Sequence, residues 1–187
     1  MPAPRDKVDP FKYRRGWGAS TRLNAAKQVR AAIADADGLL QVTEAVTETM
    51  LQLFVADACS FSLLGDGYFR DVVNVGKLAP GDKRFPDMDR LYPEADFPLC
   101  TRLLKEAGGY LSTSRESEIY REYQGMWPQM PDGSFLGVPV VAAGQVFGEL
   151  YLARSANKPP FTPEDMDAAR DLATPLGSTL PTLLRAE

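Results

Sequence analysis

Histidine is absent from all 187 residues, which removes the usual general base near neutral pH and a common ligand for zinc and haem. Neither a Ser-His-Asp nor a Cys-His nucleophile can be assembled from this chain, nor can a His-ligated zinc or haem site. Cysteine is nearly absent as well. Cys59 and Cys100 are too few for a disulfide scaffold or a four-ligand metal cluster, and buried free thiols are expected. No apolar run approaches the roughly 20 residues that span a bilayer, and the opening MPAPRDKVDP has no apolar signal region. The expectation is a cytoplasmic protein, without membrane attachment, metal, resident cofactor or assignable catalytic residue.

What the chain does contain suits one globular domain with a tail, since 44% hydrophobic and 25% charged residues are ordinary values and the length allows a substantial core. Charge is unevenly spread. Through Arg30 there are eight Lys plus Arg against two Asp, leaving 13 against 23 for the remainder. Residues 1–19 read as a basic arm in which Phe11, Tyr13 and Trp17 alternate with Lys7, Lys12, Arg14 and Arg15, and residues 20–187 as the domain. Basic and aromatic residues together suit nucleic acid, but no recognisable reading motif accompanies them, so that partner is not favoured. Packing on the acidic domain, packing on a second protomer, and an arm without fixed structure all remain open.

Helical spacing of apolar residues predicts a weakly amphipathic helix from Ser20 to Asp35, stopped by Asp37-Gly38, and a second from Leu39 to Val55. Two strands follow, Ala58 to Leu64 and Tyr68 to Val75, turning at Gly65-Asp66-Gly67. Alternation in the first places Ser60 and Ser62 on one face, toward either a cavity or solvent. Lys77 to Ala95 is polar and Pro-rich, a long loop expected to lie over a pocket. Asp96-Phe97-Pro98 then opens a helix that ends at Gly108-Gly109. Its free amides suit an anion, yet Asp96 is a natural cap for them, so a neutral or cationic ligand is equally compatible. A short strand from Tyr110 to Thr113, a partly helical crossover to Gly125, and a Met126, Trp127, Met130 patch complete the middle of the chain.

The most informative stretch is Ser134 to Arg154, SFLGVPVVAAGQVFGELYLAR, two apolar strand-like runs reversing at Ala143-Gly144-Gln145. Gly137 and Gly148 sit mid-strand, where glycine marks a bulge or a close approach by a ligand or another element. Phe161 to Met166 then carries a helix start: Thr162 as cap, Pro163 in the first turn, Asp165 reaching back, and Phe161 with Met166 as a staple. Pro175 and Pro181 are expected to kink or stop that helix.

This order, with Val138-Pro139, the Gly144 turn, Gly148 to Leu152, Phe161 to Asp165 and Leu172-Ala173, resembles the C-terminal half of a GAF domain. The resemblance implies an α/β fold of α+β type, a sandwich with a central antiparallel sheet of five or six strands and helices on both faces. It implies a small-molecule-sensing or regulatory domain in signal transduction, of unknown ligand, forming a homodimer through the helices at Ser20 to Phe54 and Thr162 to Leu184. Ser60, Ser62, Phe97, Cys100, Tyr110, Ser112, Trp127, Gly148 and Tyr151 are the expected ligand-binding residues. The N-K-x-F-D-E constellation of cyclic-nucleotide-binding members is absent, and so is the His that haem- and bilin-binding members use. The alternatives are a ligand-free module for dimerisation or partner binding and, less favoured, a free methionine sulfoxide reductase using the two cysteines. Interruption at Pro175 puts signalling through a straight last helix in doubt.

Overall fold

A computed structural model describes residues 16–76, 91–114, 116–124 and 133–186. The first elements among the described residues are two helices, α1 (Ala19–Ala34) and α2 (Gly38–Leu53). The first hairpin is β1 (Ala58–Gly65) and β2 (Tyr68–Gly76). After β3 (Leu91–Pro93) and a single 3-10 turn come α3 (Pro98–Glu106), β4 (Tyr110–Ser112) and α4 (Glu118–Gln124). The second hairpin is β5 (Ser134–Ala142) and β6 (Gln145–Arg154), and α5 (Pro163–Leu183) closes the order. All strand pairs are antiparallel in one six-stranded sheet, ordered β3-β2-β1-β6-β5-β4.

Each face of the sheet carries its own core. On one, α1, α2 and α5 bury Val29, Val46, Met50, Leu172, Leu176 and Leu180 against Cys59, Phe61, Val73, Val138, Val140, Leu150 and Leu152. On the other, α3 and α4 lie over Phe69, Tyr92, Phe135 and Tyr151. The strands alternate between the two because successive side chains point to opposite faces. At the hairpin tip, Ala143 and Gly144 both have positive φ, 48° and 78°, and Gly144 takes that conformation without steric cost.

Two expectations change. The stretch predicted as loop from Lys77 to Ala95 contains β3, whose Tyr92 is buried while Leu91 stays 57% exposed. Three residues are too short to show a period, and Pro93 is tolerated because the strand is at the edge. Helix α5 also runs through Pro175 and Pro181 without ending. An interior proline costs about 3 kcal/mol, whereas burying each of Leu172, Leu176 and Leu180 contributes roughly 1.5–3 kcal/mol, and Pro181 lies where only the final turn remains. Trp17, within the stretch read as an arm, packs on the domain, one of the three outcomes left open for it. It is 8% exposed, and its ring lies 4.6 Å from that of Phe54. The rest of the arm, residues 1–15, falls outside the described residues.

The capping box at α5 forms as its sequence implies. Asp165 N donates to Thr162 Oγ1 at 3.2 Å, and Thr162 N donates back to Asp165 Oδ2 at 2.9 Å. Pro163 occupies the first turn, where a missing N–H has no consequence.

Candidate functional site

In β1, Cys59 and Phe61 enter the helix-side core, so Ser60 and Ser62 face the other way, toward α3. Both are buried, at 8% and 6% exposure. Ser60 stands between Asn74 of β2 and Tyr151 of β6, and Ser62 between Asp71 and Glu149. The Ser62 hydroxyl donates to Asp71 Oδ1 at 2.7 Å, and the Tyr110 hydroxyl donates to Glu149 Oε1. Polar side chains from four strands thus share one buried face.

A bulge is responsible for part of this. Phe61 pairs with Val73 and Ser62 with Asp71, leaving Val72 as an extra residue in β2. Strict alternation from Asp71 would send Asn74 to the helix side. The extra residue reverses the parity, so that Val73 and Val75 pack among the helices while Asn74 joins Asp71 on the α3 side.

Helix α3 covers this face through Phe97, Cys100 and Leu104. The rings interlock: Phe135 lies 6.3 Å from Tyr110, 6.1 Å from Tyr120 and 5.7 Å from Tyr151, and Phe97 lies 6.4 Å from Phe69 and 6.5 Å from Tyr92. Gly137 has no side chain because the Tyr110 ring and the Glu149 carboxylate occupy the space where a Cβ would stand. Burial raises the titration of the Tyr151 hydroxyl well above its ordinary value, with nearby Glu149, Cys100 and Tyr120 adding to the effect.

The α3 N-terminus is not capped by Asp96. Phe97 holds the cap position, and no side chain there bonds to the helix. Glu122 of α4 fills the role instead, accepting from Leu99 N at 2.7 Å and Cys100 N at 2.9 Å. The anion position of this helix is therefore filled by the protein's own carboxylate. Burial pushes the Cys100 thiol far up, and its hydrogen bond to Glu122 and the charges of Glu122 and Glu149 push it further. Burial alone does the same to Cys59. The two thiols lie on opposite faces of the sheet, Cys59 in the core beside α1, α2 and α5 and Cys100 on the buried side of α3. They are thus neither placed to pair nor held as thiolates.

Of the residues expected to bind a ligand, Ser60, Ser62, Phe97, Cys100, Tyr110 and Tyr151 come together on this face. Ser112 lies at its β4 end, its hydroxyl 2.7 Å from that of Ser117. Gly148 does not border the same space. A Cβ there would stand 2.5 Å from the Ser62 carbonyl oxygen and 2.8 Å from the Phe61 ring, which belongs to the helix-side core. A bulky residue at 148 would break the sheet packing rather than fill a pocket. Trp127 lies outside the described residues. Asp71, Asn74, Glu149 and Glu122 were not singled out in the sequence; polar residues inside the apolar runs FRDVVNV and GELYL are the signal that points to the first three.

Among the described residues, surface grooves lie outside this buried face. One of about 510 Å³ runs between α1 and α5, lined by Ala26, Arg30, Ile33, Thr174, Pro175 and Ser178 among others. Another of about 530 Å³ lies over Leu99, Arg102, Arg121 and Glu122. Among the described residues no group of three or more His, Cys, Asp or Glu is gathered for a metal, and no helix is long and apolar enough to cross a membrane.

Comparison with solved structures finds the same fold repeatedly. The GAF domain of a phosphoenolpyruvate-protein phosphotransferase from Acinetobacter matches with TM-score 0.70 and 16% identity, covering 91% of this chain and 98% of that one. The corresponding GAF domain from Coxiella burnetii gives 0.65 and 19%, covering 90% and 98%. The chromophore-binding domain of a Stigmatella aurantiaca bacteriophytochrome gives 0.69 and 15%; the match covers 96% of this chain but 64% of the length of that one. No curated protein sequence matches. The GAF domain pattern matches residues 38–180, from the start of α2 to the buried Leu180 near the end of α5, and the chain belongs to the GAF domain family.

Proposed function

We propose that this protein is a small-molecule-sensing regulatory domain in signal transduction, and that the ligand meets the face formed by Ser60, Ser62, Tyr110 and Tyr151 beneath Phe97 and Cys100. The observation that carries the reading is the burial of Ser60, Ser62, Asp71, Asn74 and Glu149 together on that face. Buried polar groups cost stability unless paired; Ser62 pairs with Asp71 and Glu149 with Tyr110, while Asn74 Nδ2 has no partner among the described residues and is available to a ligand. Trp127 is kept as a further wall. The domain acts in the cytoplasm as a homodimer, through the helices α1, α2 and α5. Neither haem nor bilin is its ligand, since the chain has no histidine and both thiols are buried. The purified protein should therefore show no visible absorption band.

Native mass spectrometry of the freshly purified protein tests the reading. A co-purifying small molecule supports it, and a bare chain mass that no metabolite extract alters counts against it. The second reading, a ligand-free dimerisation or partner-binding module, is favoured by the close ring packing of Phe135 with Tyr110, Tyr120 and Tyr151. The reductase reading has the least support, because the two thiols lie on opposite faces of the sheet.

A further inference from the structure

We infer that the ligand is a neutral, planar heterocycle presenting a lactam edge, a ring N–H beside a C=O, and that Asn74 reads that edge. The inference rests on the ligand-binding reading of this face and adds the chemistry of the ligand.

Asn74 is 9% exposed, and its Nδ2 has no hydrogen-bond partner among the described residues. A carboxamide is a donor and an acceptor side by side. Its complement is another amide edge, donor to acceptor and acceptor to donor, and this match holds whichever way the Asn amide is turned. The Val72 bulge points Asn74 at the α3 side of the sheet, and bulges recur where a strand must re-aim a side chain beside a functional site.

The surroundings select the rest of the molecule. Ser60, directly across the β1–β2 pair from Asn74, carries a hydroxyl that both donates and accepts. Two pairs along the ladder, on the same face, stands the Asp71 carboxyl, which accepts from Ser62. Helix α3 carries a second buried group without a partner among the described residues, Thr101 Oγ1, from a residue 9% exposed. Phe97, Phe69, Tyr92 and Tyr151 belong to the apolar core on this face. Flat apolar walls with a few converging polar groups suit a flat ring.

The test pairs two probes with one substitution. Uracil offers the lactam edge; 1,3-dimethyluracil has the same ring with both N–H groups blocked. In heteronuclear NMR of the full chain, uracil should move the Asn74 side-chain amide and the backbone amides of Ser60 and Tyr151. The dimethyl compound should bind about tenfold more weakly or worse, the consequence of one lost buried hydrogen bond. Asn74→Leu should abolish the uracil response while raising Tm by about 2–4 °C, since a buried amide donor without a partner among the described residues is replaced by an apolar group of similar size. If Asn74→Leu instead lowers Tm, Asn74 is a structural donor and the inference fails. If both uracils act equally, or acetate or tetramethylammonium moves the same residues while uracil does not, the face binds ligands but not by a lactam edge. If no probe moves that face, the binding site falls with the inference.

Discussion

The indole Nε1 of Trp17 donates to Asp165 Oδ1 at 2.8 Å across 148 positions of sequence. Its backbone N–H adds a bond to Glu164 at 3.1 Å, so the residue ahead of α1 is pinned to the first turn of α5. Trp17→Phe keeps the apolar contact with Phe54 and loses the indole donor. The expected cost is about 1–2 kcal/mol, read as a Tm lowered by roughly 2–8 °C. An unchanged thermal midpoint would place Trp17 outside the cooperative fold.

Glu122 links α4 to α3 through two charge-assisted bonds to amides that nothing else caps. Glu122→Ala should destabilise by about 1–3 kcal/mol and Glu122→Gln by less, since the amide oxygen still accepts. Hydrogen exchange is the more specific readout: the amides of Leu99 and Cys100 should lose protection in the alanine variant while β5 and β6 keep theirs.

The raised thiols fix the sign of the alkaline response. Below the ordinary thiol value of 9.0 both folded and unfolded chains hold the protons, and the buried thiols add no pH dependence. Above it the unfolded chain releases protons that the folded chain retains, so stability falls as pH rises, by up to about 1.4 kcal/mol per unit for each thiol. Urea midpoints measured from pH 8 to 10.5 should decline, and Cys100→Ala should decline less steeply. Equal slopes would mean that Cys100 is exposed to solvent in the native state. Iodoacetamide should leave both thiols unmodified at neutral pH until the chain unfolds.

Gly177 lies inside α5 with its missing Cβ directed at the Val141 backbone; an added methyl would overlap the carbonyl oxygen. Helix propensity favours alanine there by about 1 kcal/mol. The contact outweighs it, because moving α5 off β5 disturbs the helix-side core, at about 1–3 kcal/mol for overpacking. Gly177→Ala should therefore lower the urea midpoint despite its better propensity, and a gain in stability would refute the close approach.

Light scattering at micromolar concentration should report twice the 20.5 kDa of one chain. Leu23 on α1 is 55% exposed and Leu40 on α2 46%, apolar surface on helices that the sheet does not cover. Leu23→Asp and Leu40→Asp should each shift the protein toward monomer. A strictly monomeric wild type removes the homodimer.

The elements legible in the sequence are those specified by neighbouring residues. The hairpin reverses at Gly144 because two apolar runs flank it, and α5 starts at Thr162 because its capping box is complete within four residues. The site was legible only in part, for two physical reasons. FRDVVNV reads as one uninterrupted strand, and the extra residue at Val72 exists only against its partner β1, so nothing local says that Asn74 changes faces. Likewise Glu122 caps a helix 22 positions away, beyond the reach of any local capping rule, and Asp96 therefore looked like the cap. The prolines of α5 misled in the opposite direction: propensity was read correctly, but the leucines on its buried face decided the outcome.

Arg154, at the end of β6, reaches several elements at once, and its Nη1 also stands 3.7 Å from Asp165 Oδ2 in the first turn of α5. Its Nε and Nη2 donate to the Phe54 carbonyl oxygen that closes α2, its Nη1 to the Pro159 carbonyl oxygen, and its guanidinium carbon stands 4.1 Å from the centroid of the Phe161 ring ahead of α5. One side chain thus ties the C-terminus of a helix, the end of a central strand and the entry to another helix. Opening any one of them removes a partner from a buried cation, which couples their opening. They form a single cooperative block, while the three-residue strands β3 and β4 at the two margins are left to open on their own.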